Sequence, residues 1–246
     1  MSLCEVHFYG ESIDKKTAMN VLLPDGEGPF PVLYLLHGLS DDYTTWLRRT
    51  GIERYVDDMP LMVVMPDGHR SWYCNDPRPE GLAYEDHIVR DVVGFVERTF
   101  PAKASRDARA IAGLSMGGYG AMMLAMRHPG IFSVACSHSG AVGFVSKSVE
   151  PPKDRPDKIA LAEVLPAGEY DCFSLAEQLA DGENQLALRL DCGTDDFLIE
   201  HNRLFHTHLE KLGVEHVYEE HPGEHNWDYW DEHIIETLAF VNEHTK

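Results

Sequence analysis

The residues of this chain best suited to chemistry gather around one serine. Ser115 stands in Gly113-Leu114-Ser115-Met116-Gly117, the pattern G-x-S-x-G, at the end of the apolar run RAIAGLS (109–115) and ahead of GGYGAMMLAMRH (117–128). A serine lifted out of a sheet on a tight strand-to-helix turn can act as a nucleophile, and side chains two residues to either side would collide there, which explains both glycines. The same turn aims the Met116 backbone N–H at developing negative charge, so Met116 is one expected oxyanion donor. Glycine-rich turns also have purely structural uses, so placement and partners must decide.

A serine hydroxyl needs a base to take its proton. In an α/β-hydrolase the partners follow in the order Ser, Asp/Glu, His, on loops beyond later strands. LALRLDCGTDDF (186–197) supplies the acid as Asp195 or Asp196, the other being a turn residue or a helix N-cap. The base candidate is His225 in His221-Pro222-Gly223-Glu224-His225-Asn226-Trp227, between the last expected strand and the last expected helix. With 14 histidines in the chain, position has to choose among them. His201, His206 and His208 fall in a helical stretch and His216 inside a strand, so these read as structural or surface residues; His221, at a strand end, is the rival to His225. A second oxyanion donor belongs after an early strand, and His37-Gly38-Leu39 offers the Leu39 N–H there, with His37 ordering the loop. Trp46, Trp72, Tyr119 and Trp227 lie near these loops and are candidate walls of an acyl or alcohol pocket, with core packing as their alternative role.

Assembled, these stretches resemble the tributyrin-esterase branch of the esterase D family, also called the Putative esterase family. The matching segments are LLHGLSDDYTTWLRRT (35–50), VVMPDGHRSWY (63–73), AGLSMGGYGAM (112–122), CGTDDFL (192–198) and GEHNWDYW (223–230). They run through most of the chain in family order. The resemblance implies an α/β-hydrolase fold and ester hydrolysis by a Ser–His–Asp triad. It puts the nucleophile on Ser115, the base on His225, the oxyanion N–H groups on Leu39 and Met116 and, through the family pattern Gly-x-x-Asp, the acid on Asp196. The family also holds S-formylglutathione hydrolases, feruloyl and acetyl-xylan esterases and mycolyltransferases. The first of these are expected to be longer and to differ at HGLSDD, which disfavours that substrate; short acyl esters, such as acetylated sugars or tributyrin-like esters, are expected.

The elements that must position these groups follow from alternating short apolar runs and amphipathic stretches, the pattern of a mostly parallel central sheet flanked by helices. Residues 3–9 and 17–23 read as an antiparallel entry pair. Strands are expected at 31–38, 61–66, 109–115, 133–139, 185–192 and 214–220, and helices at 44–58, with an interrupting glycine, 84–100, 117–128 and 227–244. Ile88, Val92, Phe95, Val96 and Phe100 mark one helical face, ended by Pro101. Residues 141–183, with Pro151, Pro152, Pro156 and Pro166, break the alternation and are expected to be an inserted cap or lid within one domain spanning 1–246.

Composition excludes several classes. With 21 Lys+Arg against 41 Asp+Glu, the formal charge of −20 opposes nucleic-acid binding and anionic membrane surfaces. Hydrophobic residues at 43% rule out a disordered chain. Five scattered cysteines without a C-x-x-C pair read as reduced thiols. Neither a signal peptide nor an apolar run of membrane-spanning length is seen, so a cytoplasmic protein is expected. The expected partner is a small-molecule ester, with no cofactor or metal; homo-oligomerisation stays open. Competing readings are an acyltransferase on the same triad, a serine peptidase, an inactive carbohydrate- or partner-binding relative, and a histidine-rich metal protein, the last without H-E-x-x-H spacing.

Overall fold

A computed structural model describes residues 1–146, 149, 160–183 and 185–245. Eight strands form one sheet in the order β1-β2-β4-β3-β5-β6-β7-β8. Here β1 is Ser2–Gly10, β2 Lys15–Leu23, β3 Val32–Leu36, β4 Met62–Pro66, β5 Arg109–Leu114, β6 Val134–His138, β7 Ala187–Gly193 and β8 His216–His221. The first two strands pair antiparallel, and β2 pairs antiparallel with β4. From β4 to β8 every pairing is parallel. This is the mostly parallel sheet expected from the alternation, in the α/β-hydrolase arrangement that the resemblance implied.

The apolar strands are apolar because both faces are covered. Along β3, Val32, Tyr34 and Leu36 join one core with Ile88, Val92 and Val96 and the buried side chains of the helix Met116–Arg127. Leu33 and Leu35 face the opposite core, built with Trp46, Ile52 and Val56 and with Tyr229, Trp230, Ile234 and Leu238 of the helix Trp227–His244. Alternation along a five-residue strand thus assigns the helices to two layers.

Three expected elements differ in detail. The helix at 44–58 is two short helices, Thr45–Arg49 and Ile52–Val56, separated at Gly51. The Gly51 N–H donates to Asp231 Oδ1 at 2.7 Å, so the break docks this segment on the last helix. The stretch 84–100 contains a π turn, His87–Val92, between the helical segments Tyr84–Asp86 and Val93–Thr99. There Asp91 lies 3.0 Å from the buried His87 Nδ1 and accepts the N–H of Ser12 from the β1–β2 turn. Third, the described residues of the 141–183 excursion include the helices Ala167–Tyr170 and Cys172–Ala180, the latter capped by the Asp171 carboxylate accepting the Phe173 N–H. Residues 147, 148 and 150–159 of the expected cap lie outside the described residues.

One buried carboxylate is central to the ties between this excursion and the body. Glu85, 2% exposed, accepts from the Tyr170 hydroxyl at 2.6 Å and from Arg127 Nε at 2.8 Å, and lies 2.7 Å from His128 Nε2. Tyr119 donates its hydroxyl to the Tyr170 carbonyl, and Arg127 reaches the Glu169 carbonyl. Among the described residues no helix is long and apolar enough to cross a membrane.

Candidate active site

Ser115 sits between β5 and the helix Met116–Arg127 with φ 53° and ψ −112°. A non-glycine residue adopts such a backbone only where its surroundings over-determine it. Its N–H donates to the His138 carbonyl at 2.9 Å, and its carbonyl accepts the N–H groups of Tyr119 and Ala141 at 3.0 Å each. The flanking glycines are needed for space. A Cβ on Gly113 would stand 2.5 Å from the Gly117 backbone, and one on Gly117 would stand 2.5 Å from the Leu36 oxygen and 2.7 Å from that of His37. These contacts also press the β3 loop against the serine turn.

His225 lies on the loop between β8 and the last helix, whose first turn is capped by Asn226 accepting the Tyr229 N–H. His225 Nε2 is 2.9 Å from Ser115 Oγ, and His225 Nδ1 is 2.8 Å from Asp196 Oδ2. With Nδ1–H donating to the carboxylate, Nε2 is the acceptor that the serine proton requires. Asp196 is 2% exposed, and its other oxygen accepts the Leu198 N–H at 2.8 Å. Asp195 faces solvent, although its N–H holds the Gly223 carbonyl at 2.9 Å and so joins the acid loop to the base loop. His221 does not reach the serine; its ring stacks on His233 at 4.1 Å.

Met116 opens its helix, where first-turn N–H groups have no intrahelical acceptor. Leu39 lies in a turn in which the Asp41 carboxylate accepts the Gly38 N–H at 3.2 Å. Burial pushes the Asp41 carboxyl above its ordinary range. His37 braces the same loop: its Nε2 accepts the Gly68 N–H at 2.8 Å, its Nδ1 is 2.7 Å from the Gly38 oxygen, and its own carbonyl accepts the Tyr73 hydroxyl at 3.0 Å.

Of the four aromatic pocket candidates, Trp46, Trp72 and Tyr119 are buried and only Trp227 is partly exposed. Trp46 donates to the Leu36 carbonyl and Tyr119 to that of Tyr170. Trp72, with φ 56°, stacks at 3.5 Å on Phe144, the aromatic that opens the 141–183 excursion. Trp227 is partly exposed and meets Trp46 edge-on. One aromatic escaped the sequence reading: Phe197, 52% exposed, has its ring centre 4.5 Å from that of His225. Its signal was only its place next to Asp196. Among the described residues no group of three or more His, Cys, Asp or Glu is arranged to hold a metal ion.

The family described as Putative esterase matches residues 10–241. An acetyl esterase of Caldicellulosiruptor saccharolyticus is 27% identical, the match covering 98% of each chain. Among solved structures, the fluorophosphonate-binding serine hydrolase FphF of Staphylococcus aureus is 30% identical with a TM-score of 0.87, covering 98% of each chain. So is an S-formylglutathione hydrolase of the same organism, with a TM-score of 0.86 and the same coverage. Chain length therefore does not set this chain apart from such hydrolases, contrary to the expectation from sequence. Matched from residue 10 to 241, and sharing its fold with serine hydrolases along nearly its full length, this chain belongs to the Putative esterase family and is a carboxylic ester hydrolase.

Proposed function

We propose that this carboxylic ester hydrolase is a serine esterase acting on short-chain acyl esters, such as acetylated sugars or tributyrin-like esters, through an acyl-enzyme. The observation that carries the reading is the continuous hydrogen-bonded chain from Ser115 Oγ to His225 Nε2 and from His225 Nδ1 to Asp196 Oδ2. As the serine oxygen attacks the ester carbonyl, His225 takes its proton, and Asp196 stabilises the imidazolium. The Leu39 and Met116 N–H groups hold the oxyanion; losing one such donor raises a barrier of this kind by roughly 3–4 kcal/mol. His225 passes its proton to the departing alcohol, then activates the water that releases the acid.

The acetyl esterase relative supports a small acyl group. Trp72 and Trp227, with Trp46 and Tyr119 behind them, are assigned to the pocket wall, and the 141–183 excursion to a cap over it. Five free cysteines, four of them buried with their thiols pushed up by that burial, favour a cytoplasmic setting.

Ser115→Ala tests the reading. The variant is expected to unfold like the wild type, to lose hydrolysis of a short-chain nitrophenyl ester and to resist a fluorophosphonate probe. Near-wild-type turnover would falsify the nucleophile. A panel from acetyl to octanoyl esters, run with and without acceptor alcohols, then measures chain preference and transfer.

A further inference from the structure

Below the loops that bear Ser115, Asp196 and His225 lies a second acid–imidazole pair, which the reaction above leaves unused. His138 ends β6 and stands in register with Asp191 of β7. Neither side chain is exposed, and His138 Nδ1 is 2.9 Å from Asp191 Oδ2. Arg189 donates Nη1 to the same carboxylate and Nη2 to Glu219 Oε2 at 2.6 Å. The Tyr229 hydroxyl donates to Asp191 Oδ1 at 3.1 Å. Burial works against the Asp191 charge, yet His138 and Arg189 hold its carboxyl below the ordinary range.

Ion pairs so deep in a core are weak evidence for stability, since well-packed apolar residues serve as well. What distinguishes this cluster is the main chain it controls. The His138 carbonyl accepts the N–H of Ser115, and the Asp191 carbonyl accepts the N–H of Ser139, whose φ is 47°. Ser139 Oγ in turn accepts from Trp230 Nε1 at 3.2 Å, and the Trp230 ring meets His225 edge-on with centres 4.9 Å apart. Tyr229, bound to Asp191 through its hydroxyl, is also the residue whose N–H is capped by Asn226, next to His225. One carboxylate thereby touches the strand supporting the serine turn, the strand leading to the acid and the helix behind the base.

We propose that Asp191 is a positioning residue for hydrolysis: through His138 and Tyr229 it sets the distance between the strained Ser115 turn and the His225 loop. The proposal rests on the triad reading above. Displacement of reacting groups by about 1 Å can cost on the order of a hundredfold in rate, so a small relaxation of this tie is readable in kcat.

The test is Asp191→Asn in the full chain, followed by thermal unfolding, kcat and KM on a nitrophenyl acetate, and the rate of fluorophosphonate labelling. A cooperative transition is expected, with KM within roughly twofold and both kcat and labelling down by about tenfold or more. Loss of activity only in proportion to the unfolded fraction overturns the proposal. If that variant does not fold, Tyr229→Phe removes a single contact and keeps the charges paired; a fall in kcat of about threefold at constant KM supports the proposal, and an unchanged kcat overturns it. Glu219→Gln, at the outer end of the Arg189 chain, should leave kcat unchanged; an equal fall there means that the whole network acts generally, and the assignment to Asp191 fails. Wild-type protein that neither turns over nor labels, or labelling that survives Ser115→Ala, overturns the triad reading itself, and the positioning role falls with it.

Discussion

The carbonyl oxygen of Leu36 lies 2.5 Å from the point where a side-chain carbon on Gly117 would stand. The end of β3 is thus in direct register with the first turn of the nucleophile helix, and no flexible side chain lies between to yield. Gly117→Ala must push the His37–Leu39 loop away from the serine. Overpacking of this kind costs about 1–3 kcal/mol in stability, while the shift in the proposed Leu39 oxyanion donor is expected to lower kcat/KM by on the order of a hundredfold. Ester kinetics alongside a melting curve check this; wild-type kcat/KM in a folded variant would show that Leu39 does not bear on the reaction.

Two adjacent aspartates should behave very differently. Asp196 reaches His225 Nδ1, whereas Asp195 is exposed and contributes through its backbone N–H. Asp196→Asn favours the wrong imidazole tautomer and is expected to reduce kcat by about 10³–10⁴-fold. Asp195→Asn keeps the backbone bond to Gly223 and should stay within a few-fold of wild type. If Asp195→Asn is the variant that cripples turnover, the acid has been misassigned.

The exposed ring of Phe197 lies against the His225 imidazole, to which the proposed mechanism assigns protonation of the departing alcohol. An aromatic alcohol leaving past His225 therefore meets that ring, and stacking of this kind contributes about 0.5–1.5 kcal/mol. In Phe197→Ala, kcat/KM for phenyl acetate should fall by roughly fivefold relative to ethyl acetate, with little change in melting temperature. Because both esters give the same acyl-enzyme, an unchanged ratio would remove Phe197 from the alcohol side.

Acid should loosen the anchored excursion through Glu85. Burial works against the charge of this carboxylate, but hydrogen bonds from His128, Tyr170 and Arg127 hold its pKa at about 2. An unfolded chain would titrate it near 4.3, roughly the ordinary glutamate value. The folded pKa is the lower of the two, so the stabilisation is complete above the unfolded value and is lost as pH falls from there toward 2. Glu85→Gln should cost roughly 3 kcal/mol at neutral pH and flatten the pH dependence of stability in that acid window. Urea titrations at neutral pH and at several acid values test both; equal slopes for variant and wild type would show that Glu85 does not drive the acid response.

The candidate site was legible in the sequence where its geometry is local. G-x-S-x-G states its own steric reason, and His225 followed from its slot between the last strand and the last helix. The choice of Asp196 needed the family pattern, since two neighbouring carboxylates in one turn look alike until the Leu198 N–H and the imidazole select one of them. The sheet was readable because β3, β4 and β5 are buried and carry nearly unbroken apolar runs. The helices at 167–180 were not, since prolines and charges around them hide a short amphipathic period. Nor was the pairing of His138 with Asp191, whose 53-residue separation is closed only by the register of β6 against β7.

β8, which leads to His225, is an edge strand and is only partly covered, while β5, which ends at Ser115, is fully enclosed from its second residue on. Edge segments open at lower free energy than central ones. Mild denaturant should therefore detach the His225 imidazole from a Ser115 hydroxyl that still sits on an intact framework. Activity would then vanish reversibly at concentrations where tryptophan fluorescence and circular dichroism remain those of the folded protein, and dilution would restore it without a refolding lag.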